Sequence, residues 1–68
     1  EQAIIDFLRE KGGVAWKQEI IDNFAYAKKY VSVVNKRLYR MQDKGILIIK
    51  EEINPDTGKN KQKVYLKQ

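Results

Sequence analysis

The stretch KKYVSVVNKRLYRMQDKGILIIK, residues 28–50, decides the fold because its hydrophobic period changes part of the way along. The apolar residues before Gly45 recur at the spacing of one buried helical stripe, namely Val31, Val34, Leu38 and Met41. After Gly45 the period becomes two and the residues are mostly β-branched, which is typical of a strand. Glycine directly after the last turn is also a common helix stop. The stretch therefore predicts a helix over residues 28–44, followed by the first strand of a sheet.

A second strand and a turn are predicted near the C-terminal end of the chain. Residues 64–66 (VYL) repeat the strand composition, and residues 54–59 (NPDTGK) lie between the two apolar stretches. In this segment proline presets φ, aspartate bonds its own backbone, and glycine permits a positive φ. We expect one long β-hairpin over residues 46–67.

Two further helices and a short strand are predicted before residue 28. Residues 2–11 place four apolar side chains at helical spacing and are followed by two glycines, which act as a breaker pair. Residues 17–24 place Ile20, Ile21 and Phe24 on one side, which indicates a two-turn helix. Between these helices, residues 14–16 (VAW) form an apolar stretch suited to a small strand that pairs elsewhere in the molecule.

Composition favours a single small domain over residues 1–68. A content of 43% hydrophobic and 34% charged residues is ordinary for a globular protein. The chain lacks cysteine and histidine, so we expect no disulfide, no metal and no cofactor. No apolar run approaches the roughly 20 residues of a membrane span, so we expect a cytoplasmic protein, associated with the nucleoid if it is prokaryotic. The chain begins at Glu1 rather than methionine, which leaves open that it is a piece of a larger parent protein.

The net charge of +5 is concentrated in one segment. Residues 28–44 contain six basic residues and a single acid, Asp43, while the other fifty-one residues carry eight basic and eight acidic residues. A solvated helix face normally interleaves both signs at i, i+4 spacing. The basic residues of the segment are Lys28, Lys29, Lys36, Arg37, Arg40 and Lys44. Their concentration favours contact with a polyanion over a merely solvated face.

The predicted order of helix, strand, helix, helix and hairpin resembles the winged helix-turn-helix domains of bacterial and archaeal regulators. The best local match is NKRLYRMQDKGIL, residues 35–47, which resembles the end of a recognition helix and the entry to the wing. Residues 14–24 resemble the first strand and second helix of that family. The resemblance implies an α+β fold with three helices, a short strand and a C-terminal hairpin wing. It also implies binding to double-stranded DNA, as in transcription regulation.

The sequence departs from the simplest members of that family in one respect. The distance from Ile20 to Val34 is longer than in their tight helix-turn-helix. Either the turn around residues 23–27 is enlarged, or the third helix begins a turn early at Lys28.

A partial resemblance to the Zα domains, which bind left-handed nucleic acid, rests on two residues. Those domains carry an asparagine followed four residues later by a tyrosine, as Asn35 and Tyr39 do here. The lysine that the family places four residues before the asparagine is Val31 in this chain, and the proline-proline-x-tryptophan wing is absent. We therefore do not adopt this interpretation.

The predicted DNA contacts lie on the third helix and on the wing. Arginine offers bidentate donors to guanine and asparagine offers them to adenine, whereas lysine suits phosphates as a point charge. Lysines on a wing contact the backbone or the minor groove, although they also protect an edge strand against aggregation. We expect Ser32, Val33, Lys36 and Arg40 nearest the groove floor, with Asn35, Arg37 and Tyr39 at its edges. The complete predicted set is Lys28, Lys29, Ser32, Val33, Asn35, Lys36, Arg37, Tyr39, Arg40, Lys59, Lys61 and Lys63.

An enzyme is not expected, because Asp6, Glu19, Asp22 and Asp56 form no recognisable catalytic spacing with a partner. The rival hypothesis is a winged helix used for protein contact within a larger assembly. That hypothesis requires an exposed apolar patch. On the sequence, Val33 and Tyr26 are the only obvious candidates for one. Whether the protein forms a homodimer is left open by the sequence.

Overall fold

A computed structural model describes residues 1–67 of the protein. Within these residues it contains three helices and one three-stranded antiparallel sheet. In chain order the elements are α1 (Gln2–Glu10), β1 (Val14–Trp16), α2 (Lys17–Phe24), α3 (Lys28–Asp43), β2 (Leu47–Ile53) and β3 (Asn60–Leu66). The predicted α+β class and the predicted order of elements are confirmed.

The sheet has the order β1-β3-β2, so β3 is its central strand. Val64 lies opposite Ala15 of β1 and also opposite Ile49 of β2. The short strand predicted over residues 14–16 therefore pairs with the last strand of the chain. Because side chains alternate along a strand, Val64 faces the helices and Tyr65 faces the other side of the sheet.

The change from helix to strand occurs at Gly45, as the hydrophobic pattern predicts. Gly45 has a φ of 78°, and its N–H donates to the carbonyl of Gln42 at 2.9 Å. The N–H of Ile46 donates to the carbonyl of Met41 at 3.0 Å. This pair of bonds is the Schellman motif, and its left-handed residue favours glycine. The chain therefore leaves α3 directly into the strand that packs beside it.

The connection between α2 and α3 settles the two alternatives left open by the sequence. Because α2 ends at Phe24 and α3 begins at Lys28, only residues 25–27 link the two helices. The third helix therefore begins early, and the turn is not enlarged. At its other end α3 stops at Asp43, so Lys44 is its C-terminal cap and the helix ends one residue before the predicted end at residue 44.

One hydrophobic core holds all six elements together. It comprises Ile4, Leu8, Ala15, Ile20, Ile21, Val34, Leu38, Met41, Leu47 and Val64. Three members of the predicted α3 stripe are buried, while Val31 is half-buried at the margin of the core. The burial of Leu38 and Met41 fixes the rotation of α3 about its axis. Its opposite side must therefore face solvent.

Candidate nucleic-acid interface

The solvent-facing side of α3 carries a row of exposed, mostly basic residues. We call this row the α3 front and define it as Lys29, Ser32, Val33, Lys36 and Arg40, all of which are exposed. Val33, Lys36 and Arg40 line one shallow depression together with Arg37, so the structure brings these side chains together on the surface. The exposure of the residues predicted nearest the groove floor is confirmed.

The basic groups of the α3 front lack acidic partners within residues 1–67. The ion pairs found there join Lys11 to Glu19 at 3.9 Å and Lys44 to Glu1 at 3.2 Å, and neither involves the α3 front. Lys29 does contact an aromatic ring, since its Nζ lies 5.2 Å from the centroid of Tyr30. The charges of Lys36 and Arg40 are therefore free to meet an anion.

The first turn of α3 is arranged unfavourably for a helix considered alone. It contains Lys28 and Lys29 and no acidic residue, and the N-cap Ala27 provides no side-chain hydrogen bond. Positive charges near the positive end of the helix dipole cost about 0.3–1 kcal/mol each at low ionic strength. An anion at this end would meet both the lysines and the free backbone N–H groups. A sequence that disfavours the local structure it adopts, as this first turn does, is expected at a functional site.

Asn35 and Tyr39 lie beside the α3 front, on the side of the helix that faces β3 and α2. The hydroxyl of Tyr39 accepts a hydrogen bond from Gln62 of β3 at 3.0 Å, and Nζ of Lys17 lies 5.6 Å from the centroid of its ring. Asn35 is half-buried, and its Oδ1 is buried with no hydrogen-bond partner among the described residues. Tyr39 therefore helps to hold α3 against the sheet.

Arg37 lies on the opposite flank of the helix, towards α1. Glu1 accepts hydrogen bonds from Nζ of Lys44 at 3.2 Å. This bond holds the pKa of the Glu1 carboxyl below its ordinary value, and the nearby Arg37 adds a weaker electrostatic contribution. The charges of Arg37 and Lys44 are thus partly balanced by Glu1, the N-cap of α1, unlike those of the α3 front.

The lysines predicted on the wing are separated by the structure. Lys59 ends the turn, where its carbonyl accepts a hydrogen bond from the N–H of Asn54 at 2.8 Å. Lys61 stands near the same end of the hairpin, opposite Glu52. Lys63 lies opposite Trp16, on the side of the sheet turned away from the helices. Lys59 and Lys61 therefore lie together at the hairpin end, whereas Lys63, although on the same side of the sheet as Lys61, lies further along β3 beside Trp16.

Two side-chain hydrogen bonds fix the hairpin relative to α3. Oε1 of Gln42 accepts a hydrogen bond from the backbone N–H of Ile49 at 2.7 Å, which ties the end of α3 to β2. The bond between Gln62 and Tyr39 ties the middle of α3 to β3. Sequence reasoning missed both glutamines, because each bond joins a helix to a strand and depends on how the two elements pack.

An apolar groove opens between α1, the end of α2 and α3. It has a volume of about 440 Å³ and is lined by Glu1, Ala3, Ile4, Phe24, Tyr26, Tyr30, Val33, Val34 and Arg37. At its margin Tyr26 is 92% exposed, and Val33 is 49% exposed. The sequence identified these two residues as apolar exceptions. It did not show that they share a groove with α1, since that requires the packing of two helices.

Comparison of the chain with protein-family models, curated proteins and solved structures gives no match. Within residues 1–67, no helix combines the length and the apolar character needed to cross a membrane. Nor does this part of the chain bring three His, Cys, Asp or Glu side chains together in a group able to hold a metal ion. The function must therefore be inferred from the arrangement of the side chains themselves.

Proposed function

We propose that the protein is a winged helix domain that binds double-stranded DNA, with α3 in the major groove and the β2–β3 hairpin along the backbone. The observation that carries the proposal is the α3 front, which combines exposed basic residues with a core-packed opposite side. The major groove of B-DNA admits an α-helix, and its base edges are recognised by directed donors on such a rod. A domain of this kind serves a transcription regulator or a chromosome-associated factor.

The dimensions of the α3 front suit a short DNA site. Lys29 and Arg40 are eleven residues apart, which corresponds to about 16 Å along a helix and to about five base pairs. Within this span Arg40 is suited to a bidentate contact with guanine and Lys36 to a phosphate. The first turn, with Lys28 and Lys29, is suited to two further phosphates.

The hairpin supplies contacts that do not depend on base sequence. Lys59 and Lys61 lie at the hairpin end, where they can meet backbone phosphates. Their orientation relative to α3 is fixed by the Gln42 and Gln62 bonds described above. Lys63 is not assigned to the duplex, because it lies beside Trp16 and away from the hairpin end.

The proposal is tested by titrating the protein with duplex DNA of random sequence at several salt concentrations. We expect a Kd of about 1 μM or tighter at low salt, with log K falling linearly against log salt because several phosphates are neutralised. Undetectable binding at low salt, with the helices shown intact by circular dichroism, would contradict the proposal.

A pair of charge-matched variants locates the interface. Lys28→Gln/Lys29→Gln should lower the affinity and reduce the salt slope by about two phosphate contacts. The control, Arg9→Gln/Lys67→Gln, removes the same charge at a depression between α1 and the end of β3. It should leave the salt slope close to that of the parent protein. Equal losses in the two variants would show that net charge alone, rather than the α3 front, attracts the duplex.

A second candidate function, a module for protein contact, is favoured by the apolar groove beside Tyr26. This residue is 92% exposed, and the groove has one acid and one base at its margin, Glu1 and Arg37. Sedimentation of the protein alone over a range of concentrations tests self-association through this groove. A dimer that Tyr26→Ser dissociates, together with an absence of duplex binding, would favour protein contact over DNA binding.

A further inference from the structure

The side of the sheet turned away from the helices carries two aromatic rings among lysines. We call it the outer sheet face and define it by residues that alternate with the buried ones: Val14, Trp16, Ile48, Lys50, Glu52, Lys61, Lys63 and Tyr65. In the strand register, Trp16, Lys63 and Lys50 lie side by side across the three strands. Val14, Tyr65 and Ile48 form the adjacent row.

The aromatic rings of this face are covered by ammonium groups. Nζ of Lys63 lies 4.8 Å from the ring centroid of Trp16 and 6.0 Å from that of Tyr65, and Nζ of Lys50 lies 5.5 Å from that of Tyr65. A lysine head group is flexible and strongly hydrated, so it can leave a ring more readily than a packed apolar side chain. The ring faces are therefore available to a ligand that also offers the lysines an anion.

The charge of the outer sheet face is not arranged for stability. Lys50 stands directly opposite Lys63, and like charges in this position destabilise a sheet. The one acidic residue of the outer sheet face, Glu52, accepts a hydrogen bond from the hydroxyl of Tyr65 and lies opposite Lys61. Its carboxylate is therefore not placed to neutralise the repulsion between Lys50 and Lys63. An anionic ligand would relieve the repulsion between the two lysines.

We propose that the outer sheet face binds single-stranded nucleic acid, with unpaired bases stacked on Trp16 and Tyr65 and phosphates held by Lys50 and Lys63. Stacking platforms of this kind combine aromatic side chains with a positively charged track for the backbone.

A duplex does not fit this chemistry, because its bases already stack on one another. An acidic polypeptide would satisfy the lysines but would leave the ring faces unused. The site is separate from α3, because the hydrophobic core lies between the outer sheet face and that helix. Lys61, at the hairpin end, is the residue that this face shares with the proposed duplex contacts.

The single tryptophan of the chain provides a direct measurement, since Trp16 lies in the proposed site. Titration with oligothymidylate at low salt should quench the Trp16 fluorescence in a saturable manner, and the binding should weaken as salt is added. Tyr65→Leu should weaken it about fivefold or more, because it removes one stacking platform. If oligothymidylate leaves the fluorescence of Trp16 unchanged, the proposal is wrong.

Two double variants with the same loss of charge separate this site from α3. Lys50→Ala/Lys63→Ala should weaken oligothymidylate binding at least several-fold more than Lys36→Ala/Arg40→Ala does. These substitutions also keep the test decisive if Tyr65→Leu fails to fold. Equal losses would overturn the proposal, and so would quenching by polyglutamate as strong as that by oligothymidylate, which would identify an acidic polypeptide as the partner. Failure of duplex binding would leave this result unaffected, because the probe and the informative variants differ.

Discussion

The α3 front and the outer sheet face both present lysines to solvent, yet the surroundings of those lysines differ. On α3, Lys36 has no acidic partner within residues 1–67 and stands on a helix held by a buried stripe. On the sheet, Lys50 and Lys63 lie over aromatic rings and directly oppose each other. The comparison teaches that a count of charges does not identify a binding surface. What distinguishes the two surfaces is the group that lies beside each lysine. This neighbouring group determines which kind of anionic ligand the surface suits.

The largest expected effect is a loss of folding stability that disrupts the α3 front and the outer sheet face together. Leu38 of α3 is fully buried in the same core as Val64 of β3, so Leu38→Ala should destabilise the domain by about 2–5 kcal/mol. Far-ultraviolet circular dichroism follows the helices during unfolding, and Trp16 fluorescence follows the sheet. Because the core is shared, the two signals should change together in one transition.

The matched control for Leu38→Ala lies on the same helix. Val33 is 49% exposed, so Val33→Ala should change the free energy of unfolding by no more than about 0.5 kcal/mol. An unchanged melting temperature in Leu38→Ala would show that the buried side of α3 is wrongly assigned. Separate transitions for the two signals would show that the helix and the sheet are not held by one core.

A smaller effect should distinguish base recognition by α3 from phosphate contact by the hairpin. Arg40→Ala should cost about 1–3 kcal/mol of binding free energy and relax the preference at one base pair, whereas Lys61→Ala should weaken all duplexes alike. The reason is that Arg40 projects from a helix anchored by its core stripe, while Lys61 stands near the end of a hairpin. Both variants should melt within about 2 °C of the parent protein, because surface substitutions seldom change stability appreciably.

Binding curves of both variants on a preferred duplex and on a scrambled one provide the measurement. A loss for Arg40→Ala that is the same on both duplexes would make α3 a phosphate anchor rather than the recognition element. A loss of preference in Lys61→Ala would assign recognition to the hairpin instead.

The fold could be predicted from the sequence largely because its elements are marked by local signals. The period change at Gly45 located the end of α3 within one residue, and the pattern over residues 17–24 gave the bounds of α2 correctly. The partner of the strand over residues 14–16 could not be predicted, because pairing with β3 joins distant parts of the chain. Local patterns determine which elements form, whereas the register of the sheet depends on their packing.

The candidate site was predicted in part for the same physical reason. Helical periodicity is sufficient to place Lys36 and Arg40 opposite the buried stripe, and both are exposed. Periodicity alone cannot show that Tyr39 is bonded to Gln62, since that bond joins residues far apart in the chain. The alternation of side chains along a strand likewise places Lys63 and Tyr65 on one side of the sheet, but it does not show that Trp16 of β1 lies beside them. The α3 front is thus a feature of one helix, and the outer sheet face is a feature of strand pairing.

The smallest expected effect tests whether side chains on the outer sheet face hold one another in place. The hydroxyl of Tyr65 donates a hydrogen bond to Glu52, and this bond, more than burial, raises the pKa of the phenol above its ordinary value of 10.0. The bond requires the protonated phenol. Its contribution to stability is therefore fully present below the unfolded pKa near 10 and is lost as pH rises through the raised folded pKa.

Glu52→Ala should return the titration of Tyr65 towards the ordinary value, as followed by the ring resonances of Tyr65 in nuclear magnetic resonance spectra. Glu51→Ala is the control, because this neighbouring carboxylate lies opposite Gln62 on the other side of the strand. If both variants moved the titration equally, the general negative charge of β2, and not the bond to Glu52, would set the pKa of Tyr65.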